Sequence, residues 1–544
     1  MEFFYAILLL LGGLGAFLMG AKTVSDNTEK LANTKIKAMF NKTSKSKLAG
    51  VGIGAASTAI VQSSGLTTIM IVGLVNAGIM SLYQATTVIM GANIGTTITA
   101  QIAALQAFQF DQIAIAFTGI GMLMNMVCKS DKVKSIGFAI AGLGLVFMGL
   151  YLMKESMDSF SDDPKVLKLF EEINNPFLLL CLGIFFTALV QSSSAITSIL
   201  ISMASAGLII GNGGNSVLFV ILGSNIGSCV TALMSSIGAS RNAKRASLIH
   251  LLFNVFGSIL FTIILLIFPN FMEDTFAKWF SHVGTQIAMF HTFFNVICTI
   301  LFLPLTNGFV FLAKHIIRDK KEEKEEFKSF LDRRFLSTPS IAIDATLREI
   351  NTMLDMAMNS VSVALDGFDN RDVTKKQNVD SINNQISEIS KNITNYLIEV
   401  SSQITSFTDE KAISALHHNN SDIVRISELA DNITKYTEKR VNEDLHFSDS
   451  VKVQIKDMHN TLEKLCSEVK KTINSRDKSN LPIVDEIEDE IDNTRKVLVA
   501  SHIERMNMGI CRPASSNVFL NLVNNLERIG DHLSYIAHSV DELE

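Results

Sequence analysis

Charged residues are missing from two long parts of this sequence. Residues 176–240 contain no Asp, Glu, Lys, Arg or His, and residues 49–128 contain a single charged residue, Asp111. Without carboxylates or histidines, these segments lack the usual elements of an intramembrane proton relay. Without Lys or Arg, they cannot neutralise a bound anion themselves, so a multivalent anion held there needs cations brought from elsewhere.

The sequence also lacks closely spaced cysteine pairs and a net positive charge. The six cysteines are scattered and form no C-x-x-C pair, so no pattern suggests a disulfide framework or a zinc site. The net charge of −6 gives no support to nucleic-acid binding, which usually shows a basic domain. The sequence shows no nucleophile–base pair and no P-loop, so we expect that the protein is not an enzyme.

Long apolar segments fill the first part of the chain, and charge is dense from Arg318 onward. A helix needs about 20 largely apolar residues to span a bilayer. This pattern predicts an all-α protein with a membrane domain at 1–317, a charged linker at 318–339 and a soluble helical bundle at 340–544. The predicted spans are 3–21, 85–105, 111–128, 135–153, 217–237, 247–268 and 285–313.

Two further apolar stretches, 48–78 and 176–208, contain the polar clusters "TAIVQSSG" and "TALVQSSS" near their middles. Each stretch is too long for one ordinary span and short for two. A re-entrant helical hairpin fits this length, with its tip buried in protein or facing a water-filled cavity. Small and polar residues also pack membrane helices together, but matched clusters at two hairpin tips favour a binding function.

The basic residues predict the orientation of the chain. They concentrate around 22–47, 129–134 and 241–245 and after the last span, whereas the loops at 154–175 and 269–284 are acidic or mixed. Cytoplasmic loops carry an excess of Lys and Arg, and seven spans plus two hairpins place every basic loop on one side. We therefore expect a multi-pass protein of the cell inner membrane, with its N-terminus outside and its C-terminal domain in the cytoplasm.

Three ordered sequence matches indicate an internal duplication. The matched pairs are "GGLGAFLMG" (12–20) with "AGLGLVFMG" (141–149), the two polar clusters, and "GANIGTTITA" (91–100) with "GSNIGSCVTA" (223–232). They predict repeat one over about 3–128, repeat two over about 135–268 and an extra span at 285–313. Three spans separate the hairpins, so the second copy is inverted. Inverted repeats are typical of secondary transporters, whose sites lie where broken helices of both halves meet.

The two predicted tips offer amide, hydroxyl and backbone N–H groups, which suit a small oxyanion, sodium or both. Sodium needs uncharged oxygens in these segments. We expect them from Thr58, Asn93, Thr187, Ser224 and Asn225. His250 and His291 each precede an Asn by four residues, which favours interhelical hydrogen bonding and leaves a role in proton or substrate handling open.

The paired "QSSG/QSSS" and "GANIG/GSNIG" segments resemble the type II sodium-dependent phosphate cotransporters and their bacterial relatives. The resemblance covers about 1–317 and implies sodium-driven uptake of inorganic phosphate, with sodium as the coupling ion. It assigns phosphate binding at the two tips to Gln62, Ser63, Ser64, Gln191, Ser192, Ser193 and Ser194. The first motif departs from the pattern at Gly65, where one hydroxyl is missing.

Long amphipathic helical patterns fill the chain after Phe335, which predicts a helical bundle. "NNLERIGDHLSYIAHSV" near the end and "DIVRISELADNITKYTE" before it form a second internal repeat. Both resemble the phosphate-signalling regulator PhoU, a pair of three-helix bundles, and the resemblance covers about 340–544. It implies a regulatory role and a protein partner. It also implies a divalent-metal or iron cluster at Glu527 and Asp531, for which a solvated acidic face is the alternative.

Three interpretations of the whole chain stay open on this basis. The first is a sodium–phosphate symporter in the lipid bilayer. The second is a membrane phosphate sensor whose transporter-like half only reports ligand to the bundle. The third is a sodium-coupled transporter of another oxyanion, because hydroxyl and backbone donors distinguish tetrahedral anions poorly.

Overall fold

The computed structural model describes residues 2–41, 46–105, 111–161, 164–208, 210–211, 213–318, 329–336, 338–404, 407–509 and 513–543. Within these ranges the regular structure is helical, with no strand. The chain divides into two compact units, Met1–Lys328 and Ser329–Glu544. The all-α fold class predicted from the sequence is therefore confirmed.

The first unit consists of helices of very different lengths. They are α1 (Glu2–Asn41), α2 (Lys47–Val61), α3 (Ser64–Asn76), α4 (Leu82–Ala104), α5 (Asp111–Val127), α6 (Asp131–Ser161), α7 (Pro164–Glu172), α8 (Pro176–Val190), α9 (Ser193–Ser205), α10 (Ser216–Gly227), α11 (Cys229–Ser235), α12 (Arg241–Ile267), α13 (Phe271–Asp274), α14 (Phe276–Trp279), α15 (Val283–Phe302) and α16 (Thr306–Ile316).

Five helical segments in the described ranges are long and apolar enough to cross a membrane. They are Phe3–Thr28, Lys132–Ser161, Ser216–Ser235, Arg241–Ile267 and Val283–Phe302. The predicted span 285–313 is not one helix, because the chain breaks between α15 and α16 around Pro304, a residue without a backbone N–H to continue the helix. Both stretches with polar clusters form pairs of short apolar helices, α2 with α3 and α8 with α9.

Glycines bring the first arm of each hairpin against the helix that follows the hairpin. A Cβ atom added at Gly54 of α2 would lie 2.0 Å from the carbonyl oxygen of Val88 in α4. A Cβ atom added at Gly183 of α8 would lie 2.2 Å from the carbonyl oxygen of Val220 in α10. Gly54 and Gly183 are matched positions of the repeat. Both copies therefore use the same close, glycine-dependent helix packing, as membrane helices often do.

The first helices of the two copies, α1 and α6, pack against each other in opposite directions. A Cβ atom at Gly13 would lie 2.9 Å from the oxygen of Gly149, and one at Gly20 would lie 2.7 Å from the oxygen of Gly142. Gly13 matches Gly142 in the repeat, and Gly20 matches Gly149. Such an exchange of partners is an isologous, two-fold contact. The two copies are therefore inverted at this interface.

Helix α15 makes the same contacts in the first copy as α12 makes in the second. Ser258 of α12 donates to the carbonyl oxygen of Leu222 at 3.0 Å, and Thr299 of α15 donates to that of Met90 at 3.3 Å. Leu222 and Met90 are matched positions. In addition, α12 packs on α3 and α10, whereas α15 packs on α9 and α4. A helix that follows repeat two in the sequence thus completes repeat one in space.

The second unit contains two three-helix bundles. Its helices are α17 (Pro339–Asn370), α18 (Lys375–Ser401), α19 (Phe407–Asn442), α20 (Asp449–Ser475), α21 (Leu481–Asn507), α22 (Pro513–His538) and α23 (Val540–Leu543). Helices α17, α18 and α19 pack together, as do α20, α21 and α22, and α19 meets α22. At that junction Asp422 accepts a hydrogen bond from His532 at 2.9 Å. The amphipathic patterns of the sequence fill the two cores with Ile, Leu and Val.

Candidate functional site

The two hairpin tips have the same backbone conformation. Gln62 ends α2 with φ 56° and ψ 17°, and Gln191 ends α8 with φ 57° and ψ 23°. The next residues, Ser63 and Ser192, are extended, with φ −142° and −143°. A left-handed conformation is uncommon for a residue other than glycine. Its occurrence at both Gln positions shows that the duplicated motif specifies a particular break between two helices.

The serine after each Gln caps the second arm of its hairpin. The Oγ of Ser63 accepts the backbone N–H of Leu66, and the Oγ of Ser192 accepts that of Ala195, both at 3.2 Å. Each serine hydroxyl can still donate its own hydrogen. Helix N-termini carry a partial positive charge and free N–H groups, so the starts of α3 and α9 favour an anion.

Both tips line one cavity of about 310 Å³. Its described lining residues are Ala21, Lys22, Ser25, Asp26, Gln62, Ser63, Ser64, Gly65, Leu66, Gln191, Ser192, Ser193, Ser194 and Ser228. All seven residues that the resemblance assigned to phosphate are among them. Tips far apart in the sequence thus share one polar space inside the first unit.

The side chains of the two Gln residues have different surroundings. Gln62 accepts a hydrogen bond from the hydroxyl of Thr99 at 3.0 Å and donates to the carbonyl oxygen of Ala59 at 2.6 Å. Gln191 is exposed in the cavity wall. Within the described residues it makes no corresponding side-chain hydrogen bond. The amide of Gln62 is therefore held in place, whereas that of Gln191 can turn toward a ligand.

The five residues expected to bind sodium are buried, and none of them is among the described residues that line the cavity. Thr187 donates a hydrogen bond to Ser224 at 2.8 Å, between α8 and α10. In the first copy Ala92 stands at the position of Ser224. The hydroxyl of Thr58 consequently has no hydrogen-bond partner among the described residues.

The two Asn residues of the "NIG" segments also occupy equivalent places. Asn93 donates to the carbonyl oxygen of Ile89, and Asn225 donates to that of Ile221, both at 2.9 Å. The amide oxygen of Asn225 lies 3.3 Å from Nε2 of His291 on α15. His291 therefore makes the interhelical contact that the sequence favoured for it.

Residues that the sequence reasoning did not include complete the cavity wall. Lys22, Ser25 and Asp26 come from the second half of the apolar Phe3–Thr28 segment, and Ser228 lies at the break between α10 and α11. Two charges four residues apart within an apolar helix were the available signal for the first group. For Ser228 the signal was its match to Thr96 in the first copy.

One member of the acidic pair predicted in the bundle, Glu527, forms an ion pair with an arginine. Arg495 of α21 lies 3.2 Å from Glu527 and 3.0 Å from Asp492. Burial, and next the carboxylate of Asp531, raise the pKa of Glu527 above its ordinary value. Within the described ranges no group of three or more His, Cys, Asp and Glu side chains is arranged to hold a metal ion. Metal binding at Glu527 and Asp531 therefore stays a prediction.

Comparison with known sequences decides the family. The model of the Na+/Pi-cotransporter family matches residues 16–155 and 160–296, both copies of the repeat. The chain belongs to the Na+/Pi-cotransporter family. The PhoU domain model matches residues 455–540, which include α21 and α22 and most of α20. This cotransporter-family chain therefore carries a PhoU domain at its C-terminal end, as the sequence resemblance implied.

Named relatives of this Na+/Pi-cotransporter family member include bacterial and mammalian proteins. YjbB, a candidate inorganic phosphate export protein of Escherichia coli strain K12, is 25% identical over 382 residues, 69% of this chain and 68% of the relative. The uncharacterized protein YqeW of Bacillus subtilis strain 168 is 30% identical over 307 residues, 56% of this chain and 96% of the relative. Sodium-dependent phosphate transport protein 2A of Mus musculus is 36% identical over 111 residues, 19% of this chain and 17% of the relative.

Solved PhoU structures align with part of the chain. The phosphate transport system regulatory protein PhoU from Streptococcus pneumoniae covers 38% of this chain and 95% of its own, with 14% identity and a TM-score of 0.34. PhoU from Pseudomonas aeruginosa covers 37% of this chain, with 20% identity and the same TM-score.

Proposed function

We propose that this protein is a secondary active transporter that couples sodium to the movement of inorganic phosphate across the cell inner membrane. The observation that carries the proposal is the single cavity lined by the Gln-Ser tips of both copies. Sites at the meeting point of broken helices from inverted repeats are typical of secondary transporters. Membership of the Na+/Pi-cotransporter family supports phosphate as the substrate and sodium as the coupling ion.

The chemistry of the cavity suits an oxyanion that moves together with a cation. Ser64, Ser193 and Ser194 offer hydroxyl donors beside the starts of α3 and α9, and the amide of Gln191 adds two N–H donors. The tips themselves contain no cationic side chain. Sodium bound by nearby uncharged oxygens would supply the missing positive charge, and this requirement couples the two solutes.

We propose uptake as the direction, with the hairpins re-entrant, the N-terminus outside and the PhoU domain in the cytoplasm. The basic residues at 129–134, at 241–245 and after the last span support this orientation. The basic residues at 22–41 belong to helix α1 and not to a loop. Among the relatives, YjbB is named for phosphate export, whereas the name of the mouse protein gives sodium-dependent phosphate transport without a direction. A coupled site can work in either direction, and an inward sodium gradient favours uptake.

Phosphate uptake into proteoliposomes tests this proposal. The purified full chain is reconstituted, and radiolabelled phosphate uptake is measured with an inward sodium gradient and with an equal potassium gradient. Sodium-dependent uptake that is lost in Gln191→Ala is expected. Sodium-dependent binding without uptake would favour a sensor, and neither binding nor uptake would point to another oxyanion.

We further propose that the PhoU domain adjusts transport to phosphate supply. The fusion of a phosphate-family membrane unit to a PhoU domain in one chain supports this role. Deletion of residues 330–544 should change the uptake rate or its response to phosphate limitation in cells. Equal uptake and an equal response in the truncated and full-length proteins would argue against it.

A further inference from the structure

The cavity at the two tips has a wall that the Gln-Ser motifs do not supply. Ala21, Lys22, Ser25 and Asp26 of α1 form this wall. Among the described residues that line the cavity, only Lys22 and Asp26 carry a formal charge. The tips contribute amides, hydroxyls and backbone groups. These two side chains therefore add formal charges to the partial positive charge that the starts of α3 and α9 contribute.

Both charged residues lie within the apolar segment Phe3–Thr28. Charged side chains inside such segments are costly and mark ion or substrate pathways. Lys22 and Asp26 are four residues apart, so they share one face of α1. Both side chains are exposed, whereas Ser25 between them is buried. The helix thus turns one cation and one carboxylate toward the space that the tips enclose.

We propose that Lys22 binds the transported oxyanion at the α1 side of the cavity and that Asp26 attracts the accompanying sodium ion. This inference rests on the proposed transport of phosphate. An ammonium group on a flexible four-carbon stem supplies three donors and can follow an anion over several ångströms. A carboxylate is an oxygen ligand for a hard cation. The pair is neutral overall, so it can receive an anion and a cation together.

The second copy of the repeat provides a matched control. In α6 the positions equivalent to Lys22 and Asp26 are Tyr151 and Glu155, and Lys154 lies on the same turn. Among the described residues that line the cavity, none comes from α6. Lys154 therefore carries the same charge as Lys22 in the corresponding part of the inverted copy, but it is not among the described residues that line the cavity.

Binding of radiolabelled orthophosphate to the purified full-length protein, measured over a range of sodium concentrations, tests the proposal. Loss of a charge-assisted hydrogen bond should weaken phosphate binding by roughly 10- to 100-fold in Lys22→Gln. Lys22→Arg should keep binding within about three-fold, because it retains the charge. Lys154→Gln should bind as the wild type does. Asp26→Asn should raise the sodium concentration for half-maximal binding and leave phosphate affinity at saturating sodium unchanged.

The outcomes separate this inference from the proposed function. Sodium-dependent phosphate binding by the wild type that Lys22→Gln leaves intact would overturn the role of Lys22 and keep the transporter. Equal weakening in Lys22→Gln and Lys154→Gln would show a general charge effect and also overturn it. An unchanged sodium dependence in Asp26→Asn would overturn the role of Asp26. A wild type that binds no phosphate would overturn the inference and the proposed function together.

Discussion

The two hairpin tips have the same backbone conformation but differ in the hydrogen-bond partners of their side chains. Gln62 and Gln191 agree within a few degrees in φ and ψ. Yet Gln62 is tied to Thr99, whereas Gln191 faces the cavity without an equivalent bond among the described residues. Duplication preserved the geometry that breaks the helix, while the hydrogen bonds around it diverged. The amide of Gln62 is therefore a fixed part of the cavity wall, whereas the amide of Gln191 is free to turn and contact a bound solute.

The largest effect is expected where the two copies are most alike, at the glycine contacts. In Gly54→Ala and Gly183→Ala, the new methyl group would lie 2.0 and 2.2 Å from a backbone oxygen of the neighbouring helix. The helices would have to separate, so we expect little folded protein for either variant, as judged by size-exclusion chromatography in detergent. Gly52→Ala is the control, because a Cβ atom there meets nothing within 4 Å. Normal yield of both variants would contradict this description of the packing.

A smaller and asymmetric effect is expected at the residues behind the tips. Thr99→Val removes the hydrogen bond that holds Gln62, and a bond of this kind contributes about 1 kcal/mol. The phosphate concentration for half-maximal uptake should rise roughly five-fold. Thr231, the matched position in the second copy, serves as the control. If Thr231→Val changed phosphate affinity as much as Thr99→Val, the two tips would be functionally equivalent and the comparison would fail.

The unequal partners of Thr58 and Thr187 predict opposite changes in stability. Ala92→Ser would give the buried hydroxyl of Thr58 the partner that Ser224 gives Thr187. We expect a gain of about 0.5–1 kcal/mol for Ala92→Ser and a loss of about 1 kcal/mol for Ser224→Ala. Thermal unfolding of the detergent-solubilised protein measures both. Stabilisation by Ser224→Ala would show that this hydrogen bond is strained.

The smallest effect is expected at Gly65, the one position where the motifs QSSG (62–65) and QSSS (191–194) differ. A Cβ atom at Gly65 would lie 3.4 Å from the methyl group of Thr231, which is ordinary contact. Gly65→Ser should therefore fit and add the hydroxyl that Ser194 provides in the other tip. Phosphate affinity should improve by about two- to three-fold, with Gly65→Ala separating the hydroxyl from the effect of the methylene. If Gly65→Ser weakened phosphate binding and Gly65→Ala did not, the site would require the space that the missing hydroxyl leaves at this position.

The tips can be located from the sequence because polar Gln and Ser residues stand out inside apolar stretches and because the motif occurs twice. The same reasoning predicted the amphipathic bundle. It did not find Lys22, Asp26 or Ser228, since only tertiary packing brings α1 and the break after α10 to the tips. From the sequence, the span at 285–313 is predicted as an extra span outside both repeats. The order of helices along the chain does not reveal that α15 occupies the place in the first copy that α12 occupies in the second.

The position of α15 has a consequence for how the protein is made. The first copy leaves the ribosome with α4 complete at Ala104, but α15, one of the helices that pack on α4, begins only at Val283. Until then, the side chain of Gln101 in α4, which will donate hydrogen bonds to the carbonyl oxygen of Ala288 and to Thr292 of α15, has to be sheltered by lipid headgroups, insertion machinery or transient neighbours. The halves are interlocked, so neither can reach its final structure before the other is synthesised. A chain cut between them should assemble only when both fragments are produced together.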